Sequence, residues 1–137
     1  MTYSMILDME NYMEGEMQDG MEYSRLAEIA PNKRARRLLE EMSEDEISHV
    51  QQLQDAYYVL TRQEYIPVSI LSAKKETYAQ GLKKRLLDES LDFRVYGAKY
   101  LETQDAALKN LFYRLSADVA VHTSQLTLLL FELLEKE

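Results

Sequence analysis

Two histidines, each within a near-copy of the same eleven residues, carry the chemistry of this chain. SEDEISHVQQL (43–53) puts Glu46 three residues before His49. SADVAVHTSQL (116–126) repeats Ser, Asp, His, Gln and Leu at the same offsets but has Val119 in place of the acid. On a helix, residues i and i+3 share a face, so the Glu46 carboxylate and the His49 imidazole can reach one point. Carboxylate with imidazole is a donor set for iron, manganese or zinc. Glu16 lies fifteen residues before the break at Pro31 and Glu46 fifteen after it, which in a helical hairpin sets both about 22 Å from the turn. Glu89 likewise lies fifteen residues before a break near residue 104, and His122 lies eighteen after it, as His49 does after Pro31. Glu16, Glu46, His49, Glu89 and His122 therefore converge on one volume. One Glu from each of two helices, with Glu-x-x-His from each of the other two, is the ligand pattern of a carboxylate-bridged pair of metal ions in a bundle. Here the second motif lacks its acid.

The elements that must position these residues are helices. Leu38, Leu39, Met42, Val50, Leu53, Tyr57 and Leu60 recur at helical spacing, as do Leu108, Leu111, Phe112, Leu115, Val119, His122 and Leu126, and no strand-like alternation is sustained. With Pro31 and Pro67 in connections, the spacing predicts helices over 3–29, 32–61, 71–101 and 104–135, with a middle link of about ten residues. Shifting the chain by 73 residues superposes Glu16 on Glu89, Asp19 on Asp92, Tyr23 on Tyr96, Leu38 on Leu111 and His49 on His122. Two such hairpins, each unable to bury its apolar face alone, would pair across a pseudo-twofold axis. The expected fold is all-α: an antiparallel four-helix bundle built from two repeated hairpins, about 3–61 and 71–135, joined by a crossover, with residues 1–137 as one domain.

Composition narrows the classes of partner. A net charge of −8 disfavours nucleic acid, and the basic cluster Lys33, Arg34, Arg36, Arg37 is followed at once by Glu40 and Glu41, as in a solvated helix start. The absence of cysteine removes disulfides, thiolate metal sites and cysteine nucleophiles. No basic leader is present and no apolar run approaches the ~18 residues of a membrane span, so a soluble cytoplasmic protein without membrane contact is expected. Met5, Met9, Met13, Met17 and Met21 form a stripe that winds around the first helix. Packing, within the bundle or in a homodimer, is the expected role, with copper(I) binding or an oxidant sink as the alternative. Tyr23 and Tyr96 are expected in the core with a buried partner for each phenol, with a place beside the metal as hydrogen-bond donors or radical carriers as the alternative.

The stretch EGEMQDGMEYSRLAEIAPNKRARRLLEEMSEDEISHVQQL resembles the first hairpin of the small rubrerythrin-like members of the ferritin-like superfamily, and LLDESLDFRVY with DVAVHTSQL occupies the second-hairpin places. The resemblance implies an antiparallel bundle holding one or two ions of iron or manganese, and reactions with oxygen or peroxide, or iron handling. It makes Glu16 and Glu89 terminal carboxylates, Glu46 a bridging one, His49 and His122 the imidazole ligands, and Asp45 and Asp118 the outer acids that hold a histidine by its other ring nitrogen. Two departures stand out: the second bridging acid is Val119, and no rubredoxin module is present. Three carboxylates against two divalent ions leave a net charge of about +1, so a pair of ions is held less well than by four. A single ion on Glu16, Glu46, His49 and Glu89 is compatible with the same residues. The expected function is thus iron or manganese binding at an impaired di-iron-type site with modest oxidase or peroxidase activity. The alternative is a metal-free structural or interaction bundle.

Overall fold

Side-chain caps restart the helices after each break. Asn32, in extended backbone, accepts from Ala35 N through Oδ1 at 2.8 Å; Thr77 and Gln80 form a reciprocal capping box; and Asp105 Oδ1 accepts from Leu108 N at 2.9 Å. Each satisfies amides that a helix start otherwise leaves without partners. In this computed structural model, which describes residues 3–68 and 75–135, the resulting elements are α1 (Tyr3–Glu28), α2 (Lys33–Thr61), α3 (Tyr78–Glu102) and α4 (Ala106–Glu135). No strand occurs among the described residues.

Cross-helix bonds give the directions. Ser43 meets Gly20 and Tyr57 meets Glu10 between α2 and α1; Tyr23 meets Glu89 and Tyr96 meets Glu16 between α1 and α3; His49 meets Asp118 and His122 meets Asp45 between α2 and α4. In every pair one number rises as the other falls, so each helix is antiparallel to its neighbours, and α2 and α3 run in the same direction. The expected bundle of two hairpins is the observed one.

The link differs from expectation. It runs from 62 to 77, sixteen residues rather than ten. The expected helix start at 71 lies outside the described residues; 75 to 77 are non-helical, and the helix begins at Tyr78 after the Thr77 cap. A chain returning along α2, whose 29 residues span about 43 Å, cannot do so in ten residues, which reach about 35 Å fully extended.

Two apolar clusters fill the bundle. One gathers Met9, Met13, Leu53, Tyr57, Phe112, Leu115 and Val119; the other gathers Tyr23, Leu26, Leu39, Met42, Leu82 and Leu126. Between them lies a layer of buried polar groups, described below. Within the methionine stripe Met9 and Met13 are fully buried and Met5 packs against the same cluster, the expected packing role. Helix α4 is long and apolar enough, by length and composition, to cross a membrane, although its apolar residues form no uninterrupted run. In the bundle its inward face carries Leu108, Leu111, Phe112, Leu115, Val119, His122, Leu126 and Leu129, and its outer face keeps Val121, Leu128, Phe131 and Leu134 exposed.

Candidate metal centre

The polar layer consists of the five residues expected from spacing. Glu16, Glu46, His49, Glu89 and His122 are all buried, none more than 2% exposed. They form two groups, Glu16–Glu46–His49 and Glu46–Glu89–His122, and in each the potential ligand atoms lie within 4.8 Å of one another. Glu46 belongs to both. Its place depends on Gly20: a Cβ there would stand 3.3 Å from Ile47 Cδ1 and 3.4 Å from Glu46 Cβ, so glycine lets α1 approach α2 beside the shared acid.

Outer bonds orient the ligands, and they cross from one hairpin to the other. His49 Nε2 lies 2.7 Å from Asp118 Oδ2, and His122 Nε2 lies 2.8 Å from Asp45 Oδ2. With Nε2 donating to each acid, Nδ1 is the ring atom that faces the carboxylates. Tyr96 Oη donates to Glu16 Oε1 at 2.5 Å and Tyr23 Oη donates to Glu89 Oε1 at 2.8 Å. Both phenols are buried in the core with a carboxylate as partner, as expected of core aromatics.

Crowded acids and bases shift one another. Burial, together with the carboxylates of Glu16 and Glu89, raises the Glu46 pKa well above the ordinary value, while Glu16 is lowered against its own burial by hydrogen bonds from Glu46 and His49. Glu46 is therefore the acid that keeps a proton and Glu16 the one that is ionised. Burial alone would lower His49, but Glu16 and Asp118 outweigh it and push it up to about 9. His122 is raised against burial by Glu89 and Asp45.

The two halves are unequally satisfied. His49 Nδ1 has Glu16 Oε2 at 3.2 Å. His122 Nδ1 lies 3.1 Å from Glu46 Oε1 and 3.6 Å from Glu89 Oε1 without alignment for a hydrogen bond, and Glu46 Oε1 and Glu89 Oε2 are likewise without a hydrogen-bond partner. Three buried orphan atoms, two carboxylate oxygens and an imidazole nitrogen, make a donor set that a divalent ion fits. Val119, 1% exposed, packs in the apolar cluster with Phe112 and Leu115 and offers nothing to the site. Asp118 does not replace the missing acid: it lies about 100° around α4 from Val119 and serves His49 from outside, its side chain 48% exposed.

Spacing alone did not single out Arg85. This buried arginine of α3 donates to Asp19 and Asp88, and its guanidinium carbon lies 6.0 Å from the Tyr23 ring centroid. The signal available was a basic residue at the place that the 73-residue shift matches to Tyr12.

No family model matches the chain. The chain is 27% identical over 120 residues to the uncharacterised protein YhjR of Bacillus subtilis (strain 168), a similarity that covers 86% of this chain and 81% of that protein. The likeness runs along nearly the whole bundle and assigns no chemistry to it.

Proposed function

We propose that this chain is a rubrerythrin-like, ferritin-like carboxylate metalloprotein that holds iron or manganese on Glu16, Glu46, His49, Glu89 and His122. The observation that carries this reading is the pair of buried triads sharing Glu46, with three atoms of the second triad lacking any hydrogen-bond partner. Iron or manganese bound there supplies a one-electron redox couple for reducing oxygen or peroxide. The residues do the rest. Asp45 and Asp118 keep a proton on Nε2 of His122 and His49, so that Nδ1, once it gives up its own proton, is the ring atom left to face an ion. Tyr23 and Tyr96 hold one oxygen of Glu89 and of Glu16, which leaves the other oxygen of each to turn toward an ion. The flanking apolar clusters exclude bulk water. Activity as an oxidoreductase is modest in this reading, because Val119 withholds the charge of a fourth carboxylate. The same reading takes the protein as a cytoplasmic homodimer, supported by exposed Leu87 and Leu91 on α3 and Leu128 and Phe131 on α4.

A second reading, a metal-free structural or interaction bundle, is favoured by His49, whose two nitrogens are satisfied by Glu16 and Asp118 without an ion. Elemental analysis of protein purified without chelators from iron- and manganese-supplemented cells separates the two. One or two ions per chain is the expected result. None, even after anaerobic addition of iron(II), establishes the metal-free bundle.

A further inference from the structure

The pseudo-twofold relation breaks a second time on the face between α1 and α3. The 73-residue shift pairs Asp19 with Asp92 but sets Tyr12 against Arg85. On the Glu89 side, Arg85 is buried to 3% exposure, bridges Asp19 and Asp88 and approaches the Tyr23 ring. It ties α1 to α3 through Asp19 and holds a positive charge between the two helices. On the Glu16 side the counterpart is Tyr12, and the surface is hollow. A cavity of about 210 Å³ is lined by Tyr12, Gly15, Glu16, Asp19, Asp92 and Tyr96 among others.

Glu16 is 2% exposed and yet forms part of this wall, so the cavity reaches a residue of the first triad. At about 30 Å³ per water the volume takes roughly seven molecules, the scale of a divalent ion with its hydration shell. Ahead of Glu16 the lining offers the carboxyl of Asp92, an oxygen ligand of the hard type, while Asp19 and Asp88 of the same lining are paired with Arg85. Gly15 keeps the wall low: a Cβ built there meets nothing within 4 Å.

Resting on the metal-binding reading above, we infer that this α1/α3 cleft is the route by which a divalent cation reaches the buried triads, entering at the Glu16–His49 half, while Arg85 closes the matching route at the Glu89–His122 half. The inference concerns entry and is independent of redox activity.

The test is stopped-flow loading of the metal-free full chain with cobalt(II), followed by its visible absorption, with bound cobalt counted at equilibrium. Gly15→Phe, and Gly15→Leu as a smaller plug, put a side chain into the cleft from a position where an added Cβ meets nothing within 4 Å. Gly97→Phe is the control, since a Cβ at Gly97 also meets nothing within 4 Å and Gly97 does not line the cavity. Expected are unchanged stoichiometry in all variants, loading at least tenfold slower in Gly15→Phe, an intermediate rate in Gly15→Leu, and the parent rate in Gly97→Phe. Parent-rate loading of both Gly15 variants at full stoichiometry, or equal slowing by Gly97→Phe, overturns the entry route and leaves the metal reading standing. No cobalt bound by the parent chain overturns both.

Discussion

The first hairpin carries Glu46 where the second carries Val119, yet the outer bonds of the two halves match one for one. Tyr23 to Glu89 is mirrored by Tyr96 to Glu16, and Asp45 to His122 by Asp118 to His49. All four bonds run between hairpins, so they join the halves of the bundle whether or not an ion is present. Glu46 has no such duty. It is buried with Oε1 unpartnered and its retained proton shared with Glu16, so its burial costs the metal-free core, and an ion would supply the partner that Oε1 lacks. Position 46 is thus a place in the layer where an apolar side chain is expected to improve the metal-free fold, as Val119 does at the equivalent position by joining the Phe112–Leu115 cluster.

Exchanging the two positions gives the largest expected effect. Glu46→Val removes the oxygen donor common to both triads and should weaken manganese(II) binding by more than 100-fold, beyond the range for losing an outer partner, while raising the melting temperature of chelator-treated protein. Val119→Glu should do the reverse. It tightens binding tenfold or more and destabilises the metal-free chain by roughly 2 kcal/mol through a second buried carboxyl. Calorimetric titration and chelated melting curves report both quantities. Unchanged affinity in Glu46→Val would refute a shared bridging role for this acid.

A smaller effect separates the metal-free and loaded proteins by pH. His49 is raised to about 9 from its ordinary 6.5, so its contribution to the metal-free fold is complete below about pH 6.5 and is lost as pH rises through 9. Asp92, pushed up to about 8 by burial and then by Glu16 and Asp19, acts in the same direction. It prefers the folded state while protonated and loses that preference as pH rises toward 8. Metal binding has the opposite slope, because an ion on His49 Nδ1 must displace its proton, and each unit of pH below 9 lowers affinity about tenfold for that proton. Between pH 6.5 and 9 the melting temperature of chelated protein should therefore fall while manganese affinity climbs. Parallel slopes for the two would show that His49 does not exchange a proton for the ion.

Most of this architecture is legible in the sequence because its signals are periodic. The helical spacing, the two short breaks and the 73-residue self-similarity place five ligand-type residues at matching heights. What spacing does not convey is which hairpin each outer acid serves. Asp45 and Asp118 are one residue before Glu46 and Val119, but their partners are the histidines of the opposite hairpin, a fact of packing between α2 and α4. The start of α3 was missed for a similar reason. Local apolar content extends the helix to 71, whereas the need to return along the whole bundle requires a longer link, and the Thr77–Gln80 box stops it. Arg85 escaped notice because a lone arginine in a helix usually faces water, and only its three-dimensional pairing with Asp19 and Asp88 makes burial tolerable.

The finest test of the comparison lies in the two tyrosines, equivalent by the repeat and unequal in what they leave behind. Tyr96→Phe removes one bond from Glu16, which keeps His49 Nδ1 at 3.2 Å and its contact with Glu46. Tyr23→Phe removes the hydrogen bond made by Glu89, whose other oxygen already has no hydrogen-bond partner. A buried acceptor left unsatisfied is worth about 1–3 kcal/mol, against about 1 kcal/mol for one bond among several. In denaturant titrations of chelator-treated protein, Tyr23→Phe should therefore lose about 2 kcal/mol and Tyr96→Phe about 1 kcal/mol. Loading manganese should narrow the gap, since an ion on Glu89 satisfies the oxygen that the phenol vacates. A gap that persists at saturating manganese would mean that Tyr23 stabilises the fold through its packing beneath Arg85 rather than through Glu89.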